Sequence, residues 1–206
     1  NIEKEHSTMP LRERDEEGAF SIVLASASPR RHELLQAAGI RFEACPADIA
    51  EVRNAGESVE DFACRMAVEK AEAVAARRPG ETRPIVGADT VVTVNGELLG
   101  KPASPSDAAR MLRLLAGQTH EVVTGLCVLG GRDSRLVEAV RTRVRFAPLT
   151  EEEIAAYVAT GEPLDKAGAY AIQGLASRFV EWIEGCYFNV VGLPVPTLYR
   201  MLKHGG

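Results

Sequence analysis

The sequence contains few cysteines, and none is placed as a metal site requires. Only four occur in 206 residues, with no C-x-x-C pair and no histidine spaced beside them as in a zinc site. This pattern excludes a zinc-binding module and a small domain that depends on disulfides. We therefore expect four reduced thiols that are mostly buried.

Long hydrophobic runs and an excess of basic residues are also absent. The apolar runs extend over only a few residues, and the first residues lack the hydrophobic stretch of a signal peptide. A net charge of -5 gives no global attraction to nucleic-acid phosphates or to anionic lipid. We expect a cytoplasmic protein that binds neither nucleic acid nor membrane, in which a local cluster of cations meets any anionic ligand.

The length and composition predict one folded domain after a charged tail. The chain is 46% hydrophobic and 26% charged, and a domain of this size buries about 70% of its unfolded surface without staples. Residues 1–19 are rich in Glu and Arg and offer almost nothing to bury, so they are predicted to be a tail. The domain is predicted to cover residues 20–206.

Hydrophobic periodicity, capping residues and turn signals predict an α/β domain around a mixed, curved central sheet flanked by helices. Helices are predicted after Ser28, from Ser58 to Arg77, from Ser104 to Gly117, from Thr150 and after Pro194. Strands are predicted at 22–25, 85–94, 97–99, 121–129 and 136–146, with a strand pair near 170–183.

The first strand leads into a helix start that concentrates groups able to bind an anion. Ser26 and Ser28 supply hydroxyls. Arg30 and Arg31 stand in the first helical turn, where the helix dipole disfavours each cation by about 0.3–1 kcal/mol. A bound phosphate would resolve this conflict, because free backbone N–H groups, hydroxyls and guanidinium groups all favour it. The alternative is that both arginines are exposed and pair with Glu33 or with the acidic tail.

Asp89 interrupts a stretch that otherwise reads as a fully buried strand. A buried carboxylate needs a cation, a metal ion or several donors, so we interpret Asp89 as functional; a strand-end carboxylate bonded to a turn is the alternative. If Asn95-Gly96 forms a two-residue turn, Lys101 falls opposite Thr90, provided that Gly100 stays in the ladder. A carboxylate and an ammonium group would then share a cleft.

Lys70 and the segment 165–174 complete the candidate site. Lys70 is in register with Phe62 and Met66 on an otherwise apolar helix face, where an ammonium group that reaches out to water is the alternative. Small residues in 165–174 allow backbone to approach a ligand closely, although a tight turn explains them as well. Several cations around a buried aspartate fit metal-assisted phosphoryl chemistry. The sequence contains no G-x-S-x-G pattern, and this absence argues against a hydrolase that works through a serine nucleophile.

A series of short motifs follows in order along residues 20 to 203. The motifs are 24–31 (LASASPRR), 69–71 (EKA), 87–90 (GADT), 101–102 (KP), 117–120 (GQTH), 161–170 (GEPLDKAGAY), 172–174 (IQG) and 191–194 (VGLP). Each motif is weak alone, but the ordered series is highly specific. The series resembles the Maf family of nucleoside triphosphate pyrophosphatases. One departure is Ala171, where similar proteins often have glycine.

The resemblance implies an enzyme that splits a nucleoside triphosphate into the monophosphate and pyrophosphate, on a fold similar to that of inosine triphosphate pyrophosphatases. Asp89 matches the proton acceptor of the family. Arg30, Thr90 and Gln173 match the trio that marks the branch acting on dTTP, UTP and modified uridine triphosphates.

The resemblance also implies a set of phosphate and metal ligands. The phosphates would be held by Ser26, Arg31, Lys70, Lys101 and Lys166. A divalent metal, Mg²⁺ or alternatively Mn²⁺, would be bound by Asp89 and Glu51, and a solvated loop acid is the other interpretation of Glu51.

A hypothesis from another class is a nucleotide-binding regulator of septum formation or cell division with little turnover, because Maf-like proteins have been linked to those processes. The presence of Asp89 with a full set of cations favours the enzyme, since a binding protein does not need both. The oligomeric state is left open, with a homodimer as one form.

Overall fold

The protein is described by a computed structural model over residues 20–130 and 134–204. The predicted tail, residues 1–19, lies outside these ranges. The described strands are β1 (Ser21–Leu24), β2 (Arg41–Ala44), β3 (Ile85–Val94), β4 (Glu97–Leu99), β5 (Thr119–Gly130), β6 (Ser134–Phe146) and β7 (Val180–Glu184). They form one sheet in the order β2-β1-β3-β5-β6-β7, and β4 pairs with β3 outside this path.

The sheet is mixed, which confirms the predicted fold class. Strand β1 runs parallel to both β2 and β3, whereas every pairing from β3 through β5 and β6 to β7 is antiparallel. The two-residue turn predicted at Asn95-Gly96 joins β3 to β4, because Val94 pairs with Glu97 across it. The two parallel pairings of β1 thus stand beside a set of antiparallel pairings.

In the described part of the chain six α-helices surround the sheet, and most begin where a capping residue predicts. They are α1 (Pro29–Ala37), α2 (Val59–Arg77), α3 (Pro105–Leu115), α4 (Glu151–Ala159), α5 (Tyr187–Val191) and α6 (Val195–His204). Ser58 and Ser104 accept N-cap hydrogen bonds, and Thr150 forms a capping box with Glu153. Ser28 occupies the N-cap position of α1, but its side chain makes no capping bond.

Alternation along β1 builds a core on each face of the sheet. Ile22 and Leu24 join a cluster with residues of α1 and α6, whereas Val23 and Ala25 face the other way and pack with Ala67 of α2. Both faces of the central strands are therefore covered by helices, as the run of apolar residues in β3 indicates.

Two glycines allow α2 to lie directly on the sheet. A Cβ at Gly87 in β3 would collide with the backbone of Ala67, and a Cβ at Gly125 in β5 would collide with the backbone of Ala63. The close approach brings the next turn of α2 beside the middle of β3. Lys70, one turn after Ala67, thereby reaches the strand that carries the buried aspartate.

Some local predictions were wrong. The strand pair near 170–183 is a single strand, β7, preceded by turns and 3₁₀ helices. In that segment backbone N–H groups bond to nearby carbonyls, Gly174 to Ala171 and Ser177 to Gly174, at 3.0 Å each. Ala169 has a φ of 58°, which is incompatible with a strand. Strand β2 and the short helix α5 were not predicted.

The four cysteines are free, as expected, but only one of them is buried. Burial raises the pKa of Cys127 to about 12, which leaves this thiol protonated and unreactive. Cys45, Cys64 and Cys186 are half-buried, so the prediction of mostly buried thiols was wrong for three of the four.

Candidate active site

A cleft opens where one edge of β3 is left without a partner strand. On that edge β1 pairs only with Ile85 and Val86, and β4 pairs only with residues 92–94, while β5 covers the opposite edge. The cleft has a volume of about 680 Å³, which suits a small organic ligand. The interrupted pairing exposes the middle of β3, including Asp89 and Thr90, to this space.

Cations from four separate segments line the cleft and outnumber the acids. The basic side chains are Arg30, Arg31, Lys70, Lys101 and Lys166, and the acidic ones are Glu51, Asp89 and Asp165. In a chain of net charge -5, this excess of positive charge is local. A concave site lined by cations attracts an anionic ligand.

Arg31 is buried and connects several parts of the cleft wall. Its Nε donates to the carbonyl of Gly192 at 2.8 Å, Nη1 donates to the carbonyl of Ala88 and to the hydroxyl of Ser26, and Nη2 donates to the Thr90 hydroxyl. Burial lowers the pKa of Arg31 from 12.5, and the nearby Asp89 carboxylate partly offsets this effect. Among the described residues, a single N–H of Nη2 is left without a partner. Because the other N–H groups of the guanidinium are used within the fold, Arg31 acts mainly by holding its neighbours in place.

Arg30 differs from Arg31 because it is not used within the fold. Its Nε is buried and has no hydrogen-bond partner among residues 20–130 and 134–204. Since a buried donor without an acceptor is unfavourable by about 1–3 kcal/mol, this group is placed for an acceptor that a ligand would bring. Glu33 pairs with neither arginine in the described ranges, and the acidic tail lies outside them.

Lys70 and Asp89 form a buried ion pair at the bottom of the cleft. Their side-chain atoms Nζ and Oδ1 are 2.5 Å apart, and the two residues are 8% and 5% exposed. The Lys70 ammonium group is therefore held by a buried carboxylate at the cleft and does not extend to the outer surface, as the alternative interpretation of this lysine requires. Asp89 lies in mid-strand rather than at a strand end.

Glu51 contacts the same ammonium group from the loop before α2. Its Oε1 lies 2.6 Å from Lys70 Nζ. Partial burial acts to raise the pKa of Glu51, but the hydrogen bond and charge of Lys70 outweigh it and hold that pKa below 4.5. Two carboxylates from distant segments thus meet at one ammonium group.

Lys101 lines the cleft, although not through the predicted pairing. The β3–β4 ladder ends at Leu99, and the Gly100 carbonyl instead accepts from Gly168 N at 3.1 Å. Gly100 therefore leaves the ladder, and Lys101 does not pair opposite Thr90. The exposed ammonium group of Lys101 has no hydrogen-bond partner within the described parts of the chain and is free for a ligand.

The segment after α4 supplies Lys166 and Gln173 to the opposite wall. Lys166 Nζ donates to the carbonyl of Glu162 at 2.9 Å and pairs with Asp165. Gln173 is exposed, and its amide makes no hydrogen bond to any residue that the structure describes. The amide is therefore available to a ligand in the cleft.

The Thr90 hydroxyl is already saturated. It lies 2.9 Å from the Thr124 hydroxyl and donates to the carbonyl of Gly192 at 3.2 Å, while Arg31 donates to it. Ser26 is different, because its oxygen accepts from Arg31 and from the backbone N of Ser28, which leaves its proton to be donated. Ser26 lines the cleft and is available to an anion.

Sequence reasoning missed the contacts that depend on backbone atoms. Arg31 and Thr90 are held by the carbonyls of Ala88 and Gly192 and by the Thr124 hydroxyl. Every residue has a backbone carbonyl, so the residue types in a sequence do not reveal which carbonyls make such contacts. Gly192 does lie in one of the motifs quoted above, at 191–194, and this was the available signal.

The fold and the cleft together define a class: a mixed α/β protein with a cation-rich site for a polyanion beside a buried carboxylate. Residues 21–205 match the family of Maf-like proteins, and the chain belongs to this family. The resemblance seen in the ordered motifs is thereby confirmed.

Curated relatives cover nearly the whole chain. A protein of Koribacter versatilis, named dTTP/UTP pyrophosphatase, is 53% identical over 187 residues, which are 91% of this chain and 95% of that protein. A Geobacter sulfurreducens protein with the same name is 56% identical over 186 residues, 90% of this chain and 96% of the relative. Among solved structures, the chain is similar to a HAM1 protein from Coxiella burnetii, with a TM-score of 0.49, 15% identity and coverage of 89% and 97% of the two chains.

Proposed function

We propose that this protein hydrolyses dTTP and UTP, and modified uridine triphosphates, to the monophosphate and pyrophosphate. The observation that carries the proposal is the convergence of free cations with a buried carboxylate in one cleft of nucleotide size. The names of the relatives at 53% and 56% identity support the choice of substrate. A cytoplasmic location belongs to the same proposal, because nucleoside triphosphates are present there and the four cysteines are free.

The phosphates would be bound by the groups that the fold leaves free. These are the ammonium group of Lys101 and the hydroxyl of Ser26, beside Lys70, which lines the same cleft. Lys166 and the remaining N–H of Arg31 add to them once a phosphate competes with Asp165 and water. Charge-assisted hydrogen bonds of this kind are short and strong, and they would also stabilise negative charge on the departing pyrophosphate.

Asp89 would act on the attacking water. Its carboxylate is held by Lys70 at 2.5 Å and faces the cleft, so it can orient a water molecule and accept its proton. The water oxygen forms a bond to the α-phosphorus, the bond from that phosphorus to the bridging oxygen breaks, and pyrophosphate leaves. The reaction needs no covalent intermediate with the protein.

The residues present fit a divalent metal ion bound together with substrate. The described residues contain no group of three or more His, Cys, Asp or Glu side chains that could enclose a metal. Asp89 and Glu51 nevertheless converge on one ammonium group, and Mg²⁺ is commonly held by one or two carboxylates plus phosphate oxygens and water. When bound, Mg²⁺ would neutralise part of the triphosphate charge and polarise the phosphoryl oxygens.

The trio Arg30, Thr90 and Gln173 would select the pyrimidine base in different ways. The buried Nε of Arg30 has no partner among the described residues, so it would donate to an acceptor of the substrate. The hydroxyl of Thr90 is used within the fold, so this residue shapes the wall. Gln173 has a free amide that can both donate and accept, which matches the O4 and N3–H edge of uracil or thymine.

The decisive experiment is a measurement of pyrophosphate release from a panel of nucleotides, with magnesium and with EDTA. We expect release from dTTP and UTP in magnesium and none in EDTA. Nucleotide binding without release from any nucleotide would instead indicate the regulatory binding protein.

A further inference from the structure

The loop that carries Gln173 is fixed by a carboxylate outside the cleft. Glu162 Oε1 accepts a hydrogen bond from the Tyr157 hydroxyl at 2.8 Å, and Oε2 accepts from the backbone N of Leu175 at 3.1 Å. The Tyr157 oxygen in turn accepts from the backbone N of Ala171 at 3.2 Å. Two backbone positions, one on each side of Gln173, are thus held by one connected pair of side chains.

The chemistry of the pair determines the direction of each bond. Tyr157 is fully buried in α4. Burial and the Glu162 carboxylate raise the pKa of Tyr157 above its usual value, which keeps the phenol protonated. Its single proton goes to Glu162, and its oxygen is left to accept from Ala171. A carboxylate at position 162 is therefore needed, because only an acceptor satisfies both Tyr157 and the N–H of Leu175.

The absence of a side chain at Gly174 independently indicates that the Glu162 carboxylate occupies a defined position. A Cβ at Gly174 would fall on the carboxylate group of Glu162. Neither Glu162 nor Gly174 lines the cleft. The Glu162 carboxylate therefore contacts the loop from outside the cleft, without touching a ligand.

We propose that Glu162 is a positioning residue for pyrimidine specificity, an inference that rests on the proposed function. Gln173 is exposed, and its amide makes no hydrogen bond to the described residues, so the position of the amide depends on the backbone of 171–175. The Glu162 side chain and Tyr157 hold that backbone. The carbonyl of Glu162, which binds Lys166, belongs to the main chain and is unchanged by a side-chain substitution.

The test is Glu162→Gln, which keeps the shape and replaces one acceptor by a donor. Tyr157 and Leu175 donate to different oxygens of the carboxylate, and the amide has an acceptor at only one of these two places, so the loop loses one of its two supports. We expect KM for dTTP and UTP to rise about ten-fold while kcat changes less than about two-fold, since the reacting groups are untouched. Affinity for α,β-methylene dUTP should fall by a similar factor, and affinity for inorganic tripolyphosphate should not change.

Two further variants make the result specific. Gly174→Ala displaces the same carboxylate by a different route and should reproduce the change in KM, which also keeps the test open if Glu162→Gln folds poorly. The matched control is Glu151→Gln, at the first residue of α4, where the carboxylate pairs with exposed Arg113 at 2.7 Å and with no other cation of the described residues. This control should leave every constant unchanged.

The outcomes separate this inference from the proposed function. If the wild-type protein prefers dTTP and UTP but Glu162→Gln and Gly174→Ala retain its KM values, the positioning role is wrong. Equal losses on tripolyphosphate and on the nucleotide analogue would also overturn it, because they would indicate a general structural effect. A wild-type protein that releases no pyrophosphate would overturn the proposed function itself.

Discussion

Asp89 and Lys70 come from different elements and neutralise each other inside the fold. Burying either charge alone would be unfavourable by several kcal/mol, so the pair explains how a charged residue is tolerated within an apolar strand. A group kept at such an energetic disadvantage is a candidate for chemistry rather than for stability.

Replacing Asp89 by asparagine tests its role on water. Asparagine keeps the shape and still accepts from Lys70, but it cannot take a proton. We expect turnover to be lost while the fold and the affinity for nucleotide remain nearly intact. Pyrophosphate release and binding of α,β-methylene dUTP measure the two properties, and Asp48→Asn, at an exposed position, serves as the control. A residual kcat above about a tenth of the wild-type value, less than about 1.4 kcal/mol in the barrier, would contradict the role.

Gln173 tests the choice of base. Gln173→Glu leaves a side chain that only accepts when ionised, so it loses the donor to O4 and retains an acceptor for N3–H. We expect kcat/KM for dTTP and UTP to fall about ten-fold to a hundred-fold, because an unmatched buried polar group is unfavourable by about 1–3 kcal/mol. Purine triphosphates should change less. An equal loss on every nucleotide would show that Gln173 handles phosphate or structure instead.

At the scale of single residues, the sequence reveals charged side chains at positions where the surrounding pattern is apolar. Asp89 in an apolar strand and Lys70 on an apolar helix face both indicated the site, and they meet there. Arg30 and Arg31 looked equivalent in the sequence, yet one is free and the other is bound on most of its N–H groups. That difference depends on the carbonyls of Ala88 and Gly192, which are brought near only by the tertiary fold.

At the scale of elements, regular patterns predict well and irregular ones do not. Capping residues and apolar periodicity located α2, α3 and α4, and the Asn-Gly turn located β4. The segment 170–179 contains apolar residues at strand-like spacing, but it forms 3₁₀ turns whose backbone is bonded to the Tyr157 and Glu162 side chains. Such contacts between segments are invisible to a local reading of the sequence.

The contact between α2 and the sheet gives a test of stability. Gly125→Ala would place a Cβ against the backbone of Ala63 and Cys64, which cannot move aside as a flexible side chain does. We expect a loss of at least about 2 kcal/mol in the free energy of unfolding, seen as a decrease in Tm of about 4–8 °C. Gly100→Ala is the control, since a Cβ there has no neighbour within 4 Å. Equal Tm values for the two variants would show that α2 does not need this close approach.

At the scale of the whole molecule, positive charge lies in the cleft, whereas arginines on the outer surface of β6 are paired with acids. On β6, Arg141 pairs with Glu121 at 2.9 Å and Arg143 pairs with Glu184 at 2.6 Å, both at exposed positions. Such surface pairs stabilise the fold by about 0–1 kcal/mol each and leave little net field. The unpaired cations of the cleft therefore stand out as the positive region of an acidic protein. None of the helices within residues 20–130 and 134–204 is long and apolar enough to cross a membrane.

The buried imidazole of His120 predicts how the stability of the whole molecule depends on pH. His120 is 1% exposed, its Nε2 lies 2.8 Å from the Tyr170 hydroxyl, and burial lowers its pKa to about 3. An unfolded chain has a histidine pKa of about 6.5. Between these values the unfolded chain binds a proton that the folded protein does not, so stability is complete above pH 6.5 and is lost as the pH falls.

The window from pH 6.5 to pH 5 isolates this effect. The carboxylates of Glu43, Glu57 and Glu81, whose pKa values are lowered to about 2 by arginine partners, weaken the fold only as the pH falls below 4.5. We expect urea titrations to show that the free energy of unfolding decreases by about 2 kcal/mol between pH 6.5 and pH 5. His120→Phe keeps an aromatic ring beside Phe146 and should remove most of this slope, whatever its stability at pH 7. His32→Phe, at a half-buried position, is the control that should retain the slope. A slope that is the same in His120→Phe and in the wild type would show that another group carries the proton, because position 120 would then have nothing left to titrate.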